Sequence, residues 1–85
     1  METRRIWKFP IKVTDEQHIS IPKYPEFLSV QFQGDELCIW AVVEPENEKK
    51  KHRIRVVGTG HPLPEGCIYI GTVQDRPYVW HVFEG

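Results

Sequence analysis

Nowhere in this 85-residue chain is there an apolar run approaching the roughly 20 residues needed to cross a bilayer as a helix. The opening Met1-Glu2-Thr3-Arg4-Arg5 leads to Trp7 and Pro10 rather than into the apolar stretch of a secretion signal, and the chain reads as cytoplasmic. Cysteine is scarce. Cys38 and Cys67 are the two present, and without an export signal they read as free, buried thiols rather than as a bridge. No Cys-x-x-Cys or His-x-x-x-His pair occurs, so the close ligand spacing that announces zinc is missing and no metal or cofactor is expected. An excess of one charge is also missing. The formal net charge is −1, which excludes a protein that coats nucleic acid nonspecifically, because such binding needs a broad surplus of Lys and Arg. Helical periodicity, repeats, linkers and low-complexity tracts are absent too, and residues 1–85 read as one β domain.

What the chain does have is ring mass: three Trp, four Phe and three Tyr, each able to bury on the order of 150–250 Å². A domain of this length hides only about 60–65% of its unfolded surface. Self-association would add burial, so a homo-oligomer is expected. Trp7, Phe9, Ile11 and Val13 alternate with Lys8 and Lys12 in a first strand, which Pro10 places at an edge or a bulge. His18 to Ile21 is a short second strand, closed by Pro22 and Pro25 around a Lys23-Tyr24 corner. Leu28, Val30 and Phe32 then alternate up to Gly34-Asp35, and Leu37, Ile39, Ala41 and Val43 alternate after it, the pattern of a tight type II′ hairpin. Cys38, Trp40 and Val42 make the second face of the returning strand apolar as well, which predicts a central strand covered on both sides.

After a polar excursion from Pro45 to Lys50, Lys51 to Val57 reads as a strand with Ile54 and Val56 inward and Arg53 and Arg55 outward. Cys67 to Val73 follows, then a Gln74-Asp75-Arg76-Pro77 turn. The final strand runs from Tyr78 to Glu84, with Tyr78, Trp80 and Val82 on one side and Val79, His81 and Phe83 on the other. The fold class is all-β: a small antiparallel meander, sandwich or partly open barrel of six or seven strands.

The segments just described resemble, taken together, a family of short uncharacterised proteins of bacteriophages and bacterial genomes. The resemblance lies in Ile6-Trp7-Lys8-Phe9-Pro10, Ile39-Trp40-Ala41-Val42-Val43, Val57-Gly58-Thr59-Gly60-His61-Pro62-Leu63-Pro64, Ile70-Gly71-Thr72-Val73 and Val79-Trp80-His81-Val82-Phe83-Glu84. It covers almost the whole chain and implies a small phage-type accessory protein, with no activity or site attached.

Two features bear on chemistry. Glycines at 58 and 60 let the chain take positive φ and present bare amides, which with the Thr59 hydroxyl and the His61 ring form an anion-binding loop. The plain alternative is a wide turn, since the Lys-Ser/Thr ending and helix of a P-loop are missing. The acidic Glu44, Glu46 and Glu48 give way to Lys49, Lys50, Lys51, His52, Arg53 and Arg55. Guanidinium groups on alternate positions of a strand point the same way and grip phosphate, although Lys on an edge strand also serves against aggregation. Trp7 and Tyr24 are candidate stacking surfaces, and the acids at Asp15-Glu16 and Asp35-Glu36 read as solvated turn charges.

Three functions follow. The first is a non-catalytic binding module that sequesters an anionic, nucleotide-derived small molecule, such as an antiviral defence signal. Its rim is Arg53, Arg55, Gly58, Thr59, Gly60 and His61. The second is an adaptor or inhibitor that meets a host protein through Trp7, Tyr24, Tyr78 and the basic strand. The third is a small hydrolase using His61 and His81, with Cys67 read as a core thiol rather than a nucleophile.

Overall fold

The computed structural model describes residues 3–85. Seven strands make up all of its regular structure, with no helix among the described residues: β1 Arg5–Ile11, β2 Gln17–Pro22, β3 Glu26–Gln33, β4 Glu36–Val43, β5 Lys49–Gly58, β6 Ile68–Asp75 and β7 Tyr78–Glu84. They form two antiparallel sheets, one ordered β1-β4-β3 and the other β2-β5-β7-β6. Of the all-β forms the sequence left open, the chain takes the two-sheet sandwich. It crosses between sheets after β1, β2 and β4. No helix is long and apolar enough to cross a membrane among these residues.

Local sequence explains most of the strands. Gly34 takes φ +62° while Asp35 does not take positive φ, and Gln33 pairs with Glu36 across them, the two-residue hairpin expected. Tyr24, at φ +64°, turns the corner between Pro22 and Pro25. Pro10 lies on β1, an edge strand, where its missing N–H costs no ladder bond on the open side. The Gln17 carboxamide closes the β1–β2 corner, accepting from the Lys12 amide at 2.9 Å and donating to the Lys12 carbonyl at 2.6 Å.

Between the sheets lie Ile11, Val30, Leu37, Ile39, Ile54, Val56, Val73 and Val82. A second cluster of Ile21, Ala41 and Val43 is flanked by Trp7 and Phe9 and joined to the first through Ile19 and Phe27.

The structure corrects three expectations. A bulge between Phe27 and Ser29 breaks the alternation of β3, so Phe27 rather than Leu28 turns inward with Val30 and Phe32, and Leu28 is left 45% exposed. Strand β4 is central within its sheet, with Leu37, Ile39, Ala41 and Val43 filling its inner face; on the outer face Cys38 is buried as expected, while Trp40 and Val42 are only half-buried. Trp7, expected to be exposed, is half-buried, packed against the second cluster.

Candidate functional site

Strand β2 stops at Gln17, opposite Ile54. The next residues of β5 pair with β7 on one side only, and the edge from Arg55 to Val57 is left beside a gap. The β1–β2 corner and the loop after β5 flank that gap, making an open hollow of about 460 Å³ lined by Asp15, Glu16, Arg55, Val57, His61 and Pro64 among others. Arg55 and His61, six positions apart, thus face one concavity. Arg55 is half-buried, and its Nε is enclosed without a hydrogen-bond partner among the described residues. No carboxylate of the described residues lies within ion-pair distance of it.

Arg53 shares the outer face of β5 but stands at the hollow's edge, with its Nη1 3.9 Å from Glu16 Oε1. Asp15 and Glu16, expected as solvated turn charges, line the hollow instead. Even with Arg53 at the edge their two charges match those of the two guanidinium groups, and of these Arg55 is the one with no carboxylate of the described residues within ion-pair distance. His52, from the same basic run, turns inward and is buried. Its Nδ1 lies 3.1 Å from Glu84 Oε2.

The loop itself is built differently from a cradle of bare amides. Thr59 N–H donates to the Val79 carbonyl at 3.3 Å and His61 N–H to the Gly58 carbonyl at 3.0 Å, so two amides that would have faced an anion are used inside the turn. Gly60 takes φ +91°, as a turn requires. Gly58 is buried, and a Cβ there would lie 3.2 Å from the Trp80 ring and 3.4 Å from the His61 ring. Gly58 does not take positive φ, and its lack of a side chain lets the Trp80 and His61 rings close over it. The loop therefore offers the hollow the His61 side chain rather than a row of free amides, with Gly58 and Gly60 shaping the bend.

Thr59 faces the other way. Its Oγ1 lies 2.8 Å from His81 Nε2, His81 Nδ1 lies 3.0 Å from Thr72 Oγ1, and Thr72 Oγ1 lies 2.7 Å from the Tyr69 hydroxyl. Both ring nitrogens of His81 are thereby occupied by neighbouring hydroxyls. Cys67 and Cys38 are free thiols, and Cys67 Sγ is 3.2 Å from the Gly85 carbonyl. No group of three or more metal-ligating side chains occurs among the described residues.

A second hollow of about 380 Å³ lies on the other side of His61, walled by Thr59, Pro77, Tyr78 and Trp80. Sequence reading missed it, together with the contribution of Asp15 and Glu16. Their partners lie tens of residues away along the chain, and no local pattern records that proximity.

No curated protein and no solved structure matches the chain. A family model does match, over residues 2–85. The chain belongs to that family, described as a domain of unknown function, DUF7352.

Proposed function

We propose that this protein is a non-catalytic binding module that captures an anionic, nucleotide-derived small molecule in the hollow shared by Arg55 and His61. The observation that carries this reading is a half-buried guanidinium with no ion-pair partner among the described residues, set with an imidazole in one open concavity whose wall also holds Asp15 and Glu16. A guanidinium partly withdrawn from water, with donors unspent, binds phosphate more strongly than an exposed one. Arg53 at the rim adds long-range attraction, while Gly58, Thr59 and Gly60 fix the bend that carries His61. Capture requires no reacting group, and the side chains present suit it.

In a phage-type accessory protein acting in the host cytoplasm, such a module removes a defence signal by holding it, and assembly into a homo-oligomer multiplies its sites. The adaptor reading keeps one supporting observation: Tyr24 is 84% exposed and Tyr78 57%, as contact residues for a host protein would be.

The test is incubation of the purified protein with a panel of nucleotide signals. Ligand depleted from solution and returned intact on heat denaturation supports capture, chemically altered ligand supports an enzyme, and an undepleted panel favours the adaptor. In the same assay Arg55→Gln, which removes the charge without adding a third carboxylate beside Asp15 and Glu16, is expected to weaken binding by about tenfold, consistent with loss of a charge-assisted hydrogen bond. The wild-type affinity should fall with added salt. His61→Ala should weaken binding without lowering thermal stability, since His61 is exposed. Unchanged affinity in both variants removes the site.

A further inference from the structure

We propose that the hollow walled by Tyr78 and Trp80 receives the planar base of a nucleotide whose phosphate lies against Arg55, with His61 between the two subsites. This placement rests on the reading of the Arg55 hollow as an anion site and adds to it the group that tells a nucleotide from any other phosphate.

Two hollows that share a wall carry the proposal. His61 lines both the hollow that holds Arg55 and the apolar one, so a single ligand can place a charged group on one side of the imidazole and a ring on the other. The apolar hollow, about 380 Å³, falls within the roughly 300–1,000 Å³ range of small-molecule sites, which are typically apolar with a few fixed polar groups.

Its aromatic wall is already in place. Tyr78 and Trp80 stack with ring centroids 5.2 Å apart and planes 24° from parallel. Trp80 Nε1–H donates to Asp75 Oδ2 at 3.1 Å, which fixes the indole, and the bare Gly58 leaves room for its edge. Tyr78 keeps 57% of its surface exposed despite packing against that indole. A large ring held flat and left open is the arrangement on which a base stacks.

The polar element is Thr59. Its hydroxyl is held by His81, which is held in turn by Thr72 and Tyr69. That chain of hydrogen bonds, from the loop after β5 across β7 to β6, fixes Thr59 where it lines the hollow. His81 acts here as a positioning residue.

Calorimetric titration with adenosine 5′-monophosphate and with ribose 5-phosphate tests the placement, because the two share the phosphate and sugar and differ in the base. The nucleotide is expected to bind at least about tenfold more tightly, in line with the loss seen when a stacking side chain is truncated to alanine. Tyr78→Ala should reduce the nucleotide to the affinity of ribose 5-phosphate and leave ribose 5-phosphate itself unchanged, while Tyr78→Phe should retain the difference. Equal binding of the two probes by the wild type, or a difference that survives Tyr78→Ala, overturns the base subsite and leaves the anion site standing. Absence of binding by both probes, or nucleotide binding unaffected by Arg55→Gln, overturns the anion site and this placement with it.

Discussion

A single methyl group at position 71 measures how closely the two sheets approach. Gly71 does not take positive φ, so its backbone admits any residue. A Cβ there, however, would lie 2.7 Å from Val30 Cγ1 and 3.5 Å from Val30 N. Val30 is buried, and its branched side chain is stiff about χ1. Gly71→Ala is therefore expected to cost about 1–3 kcal/mol as overpacking. Val30→Ala in the same chain should recover part of that loss, a coupling that urea denaturation of the single and double variants will read. Costs that simply add would show that the two residues do not meet.

Cys38 gives a second residue-level outcome. Burial, reinforced by the Glu36 charge, holds its thiol pKa above the ordinary value. The sign follows from linkage. Below the ordinary thiol pKa, folded and unfolded chains are both protonated and stability is whole. As pH rises past about 8.5 the unfolded thiol ionises first, and stability falls until the folded thiol ionises too. Cys38→Ala should make alkaline denaturation shallower over that range, and an unchanged slope would refute the assignment.

At the scale of elements, the end of β7 is fastened by a side-chain hydrogen bond as well as by its ladder. Glu84 meets the buried His52 of β5 at 3.1 Å, Gly85 N–H continues the pairing to the Arg53 carbonyl at 2.9 Å, and Phe27 of the opposite sheet packs edge-on to the imidazole. His52 Nε2 already lacks a partner among the described residues. Glu84→Ala would leave the second ring nitrogen unpaired in a buried site, at a cost of about 1–3 kcal/mol. A lowered melting temperature, with faster amide exchange in β5 and β7, is the expected reading. Much of this level is legible in sequence: β7 runs from Tyr78 to Glu84 as its alternation indicates, and Gly34-Asp35 forms its hairpin. The bulge in β3 is not legible, because Leu28, Val30 and Phe32 continue a two-residue period through the position where the register shifts. Alternation reports a face only while pairing is regular.

The whole molecule is a slab, 45 × 30 × 15 Å, so much of its surface belongs to the outer faces of two sheets. That shape ranks the core. Ile39, fully buried between the sheets, is expected to cost about 2–5 kcal/mol on change to alanine. Trp40, its neighbour on the outer face, should cost less despite its size, because no third layer covers it in a single chain. Thermal denaturation of Ile39→Ala and Trp40→Ala decides the order. A Trp40 variant as damaged as the Ile39 one would overturn that ranking.

Composition and alternation by themselves determined an all-β chain, its turns, its free thiols and the outward row of Arg53 and Arg55, since each depends on residues next to one another along the chain. Tertiary structure decided which strands share a sheet, and hence that β2 ends beside Arg55 and opens a hollow there. It also brought Asp15 and Glu16 to that hollow, turned two loop amides inward, and set Tyr78 and Trp80 on the far side of His61. Those outcomes depend on how far each strand runs before it loses its neighbour and on how two sheets close over each other. Both are long-range packing results that period-two patterning does not encode.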